Sequence, residues 1–150
     1  MILRGDIKKI RLNKFISNSG ICSRREADKF ISLGLVKVND KIITSMGYKV
    51  DINDIVKFND SVIKAEKHKY LVLNKPKNFI TTMKDPQKRN TVLDLISGAC
   101  KERLYPVGRL DRNTTGVLMF TNDGDLSKKL CHPSSKISKI YRVELNKNLK

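Results

Sequence analysis

Acidic residues are scarce in this 150-residue chain: 15 Asp and Glu stand against 31 Lys and Arg, for a net charge of +16 and a pI near 9.9. The excess is not a tail. Residues 1–65 hold 13 basic and 7 acidic side chains, and residues 66–150 hold 18 and 8, so both halves are basic. Such an imbalance points to a polyanionic partner, because each neutralised phosphate releases counterions. No long amphipathic helix with a bulky apolar face is evident, which favours nucleic acid over a membrane surface. No apolar run approaches the roughly 18 residues of a membrane span, and the start Met1–Asp6 lacks the apolar core of a secretory signal. These features read as a soluble, cytoplasmic protein. Cysteine is sparse too: Cys22, Cys100 and Cys131 are odd in number and far apart, with no CxxC. A disulfide framework and a zinc knuckle are therefore unsupported, and reduced thiols without a metal are the simplest account. Cys131-His132 reads as a loop with an incidental thiol, and His68, alone in a charged stretch, as solvated. Neither a phosphate-cradling GxxxxGK(S/T) nor a GxSxG elbow occurs, so ATP hydrolysis and serine-hydrolase chemistry lack a basis. Repeats and low-complexity segments are absent. With 39% hydrophobic and 31% charged residues, a modest core can still form.

The pattern along the chain is that of an α+β protein. Leu12, Phe15 and Ile16 follow helical spacing, with Gly20 as a stop. Ser23 and Glu26 form a capping box that opens a second helix, faced by Ala27, Phe30 and Ile31 and closed by Gly34. Val36–Val38 and Lys41–Ile43 flank Asn39-Asp40 as a hairpin, and Ile55–Phe58 reads as a further strand. These residues make a compact αα-β unit over 1–60. Residues 61–69, mixed and charged, read as a linker. A second unit over 70–150 begins with a strand at Tyr70–Asn74, stopped by Pro76, with Asn78 at a turn that asks for positive φ. A short helix capped by Thr91, a buried strand at Val117–Phe120, a turn at Asn122-Asp123-Gly124, a helix over Asp125–Leu130 and an alternating strand over Ile140–Leu145 follow.

The densest polar segment runs Gly108-Arg109-Leu110-Asp111-Arg112-Asn113-Thr114-Thr115-Gly116, in a loop between apolar strands. One carboxylate stands between two guanidiniums, which favour its ionised form. Such a carboxylate is a competent nucleophile. Composition alone also allows an aspartate that only pairs with arginine and organises a turn.

Two resemblances bear on that choice. Arg11-Leu12-Asn13-Lys14-Phe15-Ile16, then Gly20-Ile21-Cys22-Ser23-Arg24-Arg25-Glu26-Ala27, Gly34, Val36 and Val38-Asn39 resemble the small RNA-binding module named after ribosomal protein S4. From residue 70 the chain resembles the Rsu/Rlu-type ribosomal pseudouridine synthases. Leu73-Asn74-Lys75-Pro76 is similar to their first motif, Gly108–Leu118 to their catalytic loop, and Lys139-Ile140-Tyr141-Arg142-Val143 to the segment with their active-site tyrosine. Asn78 stands where the family usually has glycine, and Thr115 where it usually has serine.

The resemblance implies a fold of one S4-type domain followed by a partial mixed or antiparallel β-sheet catalytic domain. It implies isomerisation of a uridine in ribosomal RNA without cofactor or metal. Asp111 would be the catalytic aspartate, Tyr141 would pack on the uracil, and Arg109 would fill the gap left by the extruded base. Arg11, Lys14, Arg24, Arg25 and Lys29 would contact structured RNA through its backbone. The run Thr82–Gln87 and the Asn-Asp-Gly turn are closer to the large-subunit members, so 23S RNA is the expected partner and 16S RNA the alternative. Abundant Lys, Ile and Asn fit a bacterial source. The family continues well past Lys150, so the chain is expected to be a fragment of an enzyme that is monomeric at full length. The competing reading is a non-catalytic RNA-binding or ribosome-assembly protein. A DNA-binding regulator is weaker, because no recognition helix in a helix-turn-helix arrangement is present.

Overall fold

Two hydrophobic clusters, not one, organise the computed structural model, which describes residues 9–147. The Met1–Asp6 start lies outside the described residues. The first cluster gathers Leu12, Ile16, Ala27, Ile31, Val36, Val50 and Val56 around helices α1 (Leu12–Asn18) and α2 (Arg24–Ser32). Leu12 and Ile16 sit one turn apart, which puts both on the buried face of α1. The α2 capping box forms as the sequence predicts. The Ser23 N–H donates to Glu26 Oε2 at 2.9 Å, and the Glu26 N–H donates to Ser23 Oγ at 3.3 Å. Gly34 closes the helix at φ +74°, its N–H donating to the Ile31 carbonyl.

Ahead of α1, strand β1 (Ile10–Arg11) pairs with β4 (Lys49–Val50). A four-stranded antiparallel sheet packs against the helices in the order β3-β2-β5-β6: β2 is Val36–Val38, β3 Lys41–Ile42, β5 Val56–Phe58 and β6 Ser61–Val62. The turn Asn39-Asp40 takes φ of 49° and 63°, as a two-residue hairpin requires. A second turn of the same kind, Asn59-Asp60 at 46° and 63°, leads into β6. Residues 61–62, read from the sequence as linker, thus belong to the first sheet, and Ile63 packs on its core. Lys37 and Lys57 face each other in the β2–β5 register, and each is neutralised by the turn aspartate of the other hairpin, Asp60 and Asp40.

The second cluster, built on Val92, Leu104, Leu118 and Phe120, lies under a three-stranded antiparallel sheet in the order β7-β9-β8. Here β7 is Tyr70–Lys75, β8 Tyr105–Val107 and β9 Gly116–Thr121; the short helix α3 (Val92–Leu95) contributes to the cluster. Pro106 is tolerated because β8 is an edge strand. Strand β9 is buried on one face only: Leu118 and Phe120 point inward, whereas Val117 is 75% exposed. A continuous apolar run does not distinguish the two cases, so the reading of a strand buried throughout is corrected. Helix α4 (Gly124–Cys131) follows, with the Asp123 carboxylate accepting from the N–H groups of Asp125 and Leu126. A single turn of 3₁₀ helix, Pro133–Ser135, ends it.

The strand expected over Ile140–Leu145 does not form. Alternation supplies a face but not a partner, and no neighbouring strand hydrogen-bonds this segment among the described residues. Ile140 is 96% exposed and Tyr141 80%.

Candidate active site

The loop between β8 and β9 holds Asp111, and its backbone is fastened from below by a lysine. Strand β7 alternates so that Leu71, Leu73 and Lys75 share the core face, and Lys75 is fully buried. Its ammonium donates to four carbonyls: Pro76 at 3.0 Å, Asp111 at 3.0 Å, Arg112 at 3.1 Å and Thr114 at 2.8 Å. A buried cation is costly unless its donors are satisfied; here carbonyl dipoles from one loop converge on it. A second fastening comes from Thr81. Its hydroxyl donates to the Leu110 carbonyl at 2.7 Å and accepts from the Leu110 N–H at 3.3 Å. The Thr114 N–H closes the turn onto the Asp111 carbonyl at 3.1 Å. Gly116 ends the loop at φ +135°, a conformation closed to residues with a Cβ.

The side chain of Asp111 is used differently from its backbone. It is exposed, and among the described residues its carboxylate accepts no hydrogen bond and joins no ion pair. The expected pairing with the flanking guanidiniums is therefore corrected: Arg109 and Arg112 are both exposed and likewise make no ion pair there. Side chains of neighbouring residues leave a turn in different directions, so sequence adjacency does not bring the charges into contact. An aspartate kept only to organise its turn through an arginine is not what this geometry contains.

Tyr141 is not brought to this loop. It lies exposed on an irregular segment, and no hydrogen bond ties it to Asp111 among the described residues.

The basic residues of the first unit divide into two sets. Arg11, Arg25 and Lys29 are exposed. Lys14, half-buried, and Arg24, also exposed, line a cleft of about 720 Å³ between α1, α2, β8 and α4, and the cleft lining does not include Asp111. Lys14 Nζ lies 2.6 Å from Asp125 on α4. A second bond joins the two units outside that cleft, from Lys84 to Glu26 at 2.8 Å. Hydrogen bonding to Lys84, assisted by Ser23, holds the Glu26 carboxyl at about 2, well below its usual 4.5. Asp85, clipped by Arg89, is likewise lowered to about 2.

Sequence reasoning singled out Lys75 as part of a motif but gave it no role, and it missed Thr81. The signal for Lys75 was its place as the next inward position after Leu71 and Leu73. His68 is exposed, as read from the sequence, and its Nδ1 lies 3.3 Å from the Asp123 carboxylate, which also accepts from the Tyr70 hydroxyl at 2.9 Å. Among the described residues no group of three or more His, Cys, Asp or Glu is placed to hold a metal ion.

The sequence matches known families and proteins. The RNA pseudouridylate synthase family matches residues 69–150, and the S4 domain matches residues 10–56. The chain belongs to the RNA pseudouridylate synthase family. An uncharacterised RNA pseudouridine synthase of Aquifex aeolicus is 43% identical over 89% of this chain and 54% of that protein. The ribosomal large subunit pseudouridine synthase B of Bacillus subtilis is 40% identical over 87% of this chain and 53% of that protein. A dual-specificity RNA pseudouridine synthase of Escherichia coli K12 is 40% identical over 92% of this chain and 47% of that protein. The chain thus spans about half the length of these curated relatives.

Proposed function

We propose that the protein converts a uridine of ribosomal RNA to pseudouridine, with Asp111 as the catalytic carboxylate. The observation that carries this reading is the division of labour at Asp111: its carbonyl is fixed by the buried Lys75, while its carboxylate is exposed and unpaired among the described residues. A group held in place but left without a partner suits attack on, or proton abstraction from, a nucleoside. The target nucleotide is rotated out of its stack, because the glycosidic bond is out of reach inside a helix. The C–N bond to the base breaks, a C–C bond to carbon 5 forms, and the proton on carbon 5 is released as the ring nitrogen gains one. Atoms and electrons balance within the nucleoside, so the reaction requires no cofactor. Arg109, exposed on the same loop, fills the space that the base vacates, and Tyr141 supports the uracil.

We further assign the αα-β unit, with its sheet carried through Ile63, to RNA binding, and residues 70–150 to the catalytic unit. Arg11, Lys14, Arg24, Arg25 and Lys29 contact phosphates, which positions the enzyme without reading sequence. The partner is ribosomal RNA, 23S ahead of 16S, in the cytoplasm of a bacterium. The similarity to a named large-subunit enzyme supports that order.

RNA binding without catalysis is the second reading. It is favoured by one observation, the exposed position of Tyr141 away from any bond to the Asp111 loop. Incubating unmodified 23S and 16S transcripts with the protein and mapping pseudouridine separates the two. The proposal expects conversion at a discrete uridine. Salt-sensitive binding with no converted site would establish the second reading instead.

A further inference from the structure

The cleft between the two units carries a charge distribution that the catalytic reading does not use. Its lining includes four permanent cations, Lys14, Arg24, Arg103 and Lys128, and one carboxylate, Asp125. Lys14 and Arg24 come from the S4-type unit, the other two from β8 and α4 with their flanks. Gly124 also lines the cleft: a Cβ there would lie 3.3 Å from Arg24 Nη2 and 3.1 Å from the Tyr105 hydroxyl, so the absence of a side chain lets Arg24 approach α4 closely. At its far end the cleft is lined by Cys131, whose Sγ lies 3.9 Å from where a Cβ on Gly108 would sit. Gly108 is the first residue of the Asp111 loop. The cleft therefore opens beside the helices of the RNA-binding unit and includes one residue, Cys131, that neighbours the start of the Asp111 loop.

Asp125 sits in the middle of this track and takes Lys14 in a two-oxygen grip, at 2.6 Å and 2.8 Å. Its side chain is 71% exposed, against 22% for Lys14. A carboxylate in that position is matched in charge and hydrogen bonding to a phosphodiester oxygen pair. It needs no backbone change to release the lysine.

We propose that this cleft is the track for the phosphodiester backbone of the bound RNA, and that Asp125 is a resident phosphate mimic that an RNA phosphate displaces from Lys14. The inference rests on the RNA-modifying reading and names the surface that the RNA crosses. Asp125 makes the cleft selective: a weakly held polyanion does not repay the exchange of one ion pair for another, whereas RNA contacting Arg24, Arg103 and Lys128 together does. This is specificity by a built-in competitor.

The test is filter binding of a labelled, unmodified 23S transcript to the whole chain, with no turnover readout. Asp125→Asn keeps the helix and removes the competitor, and affinity is expected to rise about threefold or more at low salt. In a Lys14→Ala background the same substitution is expected to give a clearly smaller gain, because only the general loss of negative charge remains and the freed lysine is gone. Lys128→Ala is expected to weaken binding by about three- to tenfold and to reduce the salt slope by about 1. Unchanged or weaker binding by Asp125→Asn, a gain undiminished by the loss of Lys14, or a neutral Lys128→Ala would each overturn the proposal. A chain that passes these tests but converts no uridine would refute the enzymatic reading and leave the cleft as an RNA site.

Discussion

At the scale of single residues, Lys75 is the side chain on which the site depends most. Four carbonyls point at its ammonium, three of them from the loop that carries Asp111. Lys75→Met keeps the length and apolar stem but removes every donor. The stranded carbonyls and the freed loop are expected to cost about 2–4 kcal/mol, read as a lower urea midpoint. Conversion of uridine is expected to fall by at least about tenfold, because misplacing a catalytic group by an ångström is enough. A Met variant with unaltered midpoint and full conversion would show that the loop holds its shape without the lysine. The same residue marks a limit of the sequence. A lysine between Asn74 and Pro76 reads as another basic residue in a basic chain, and only the inward position after Leu71 and Leu73 hints at burial. Asp111 was legible as a candidate, but its neighbours suggested ion pairs that the loop geometry does not make. The strand that would carry Tyr141 was inferred from alternation, which specifies a face and leaves the partner strand unspecified.

At the scale of elements, short polar signals proved the more reliable guide. The Ser23–Glu26 box and the Asn39-Asp40 hairpin form as read, because each is satisfied by atoms within a few residues. Asn59-Asp60 carries the same signal and makes the same turn. Its C-terminal strand is only two residues long and lies at the start of a mixed, charged segment that reads as linker. Two carboxyls report on how the elements are joined. Glu26 belongs to the α2 cap and receives Lys84 from the second unit, and Asp85 clips Arg89 within the adjacent loop. Both are lowered to about 2, from 4.5 and 3.8. The folded chain therefore binds these protons less readily than the unfolded chain. Their contribution to stability is complete above the ordinary values and is lost as pH falls from about 4.5 through about 2. Carboxyl-carbon NMR titration is expected to place both midpoints near 2 at low salt. The Lys84–Glu26 pair lies near solvent, so added salt is expected to move the Glu26 midpoint upward. A midpoint near 4.5 at low salt would mean that Lys84 does not reach across.

At the scale of the whole molecule, the basic excess is shared between two units with separate cores, and this arrangement suits an enzyme that must hold a large folded RNA while acting on one nucleotide. The S4 domain and the pseudouridylate synthase match behind it were legible from motif order, since three motifs and one module succeed each other in the sequence. Their mutual packing was not, because it rests on single long-range pairs such as Lys14–Asp125, 111 residues apart. The central claim is that the Asp111 carboxylate serves chemistry and not the fold. Asp111→Asn tests it directly when conversion, RNA affinity and urea midpoint are measured on one preparation. The account predicts that conversion falls by at least about 100-fold, that affinity stays within about twofold, and that stability stays within about 0.5 kcal/mol. Retained conversion, or a loss of activity that merely tracks a loss of stability, would contradict it.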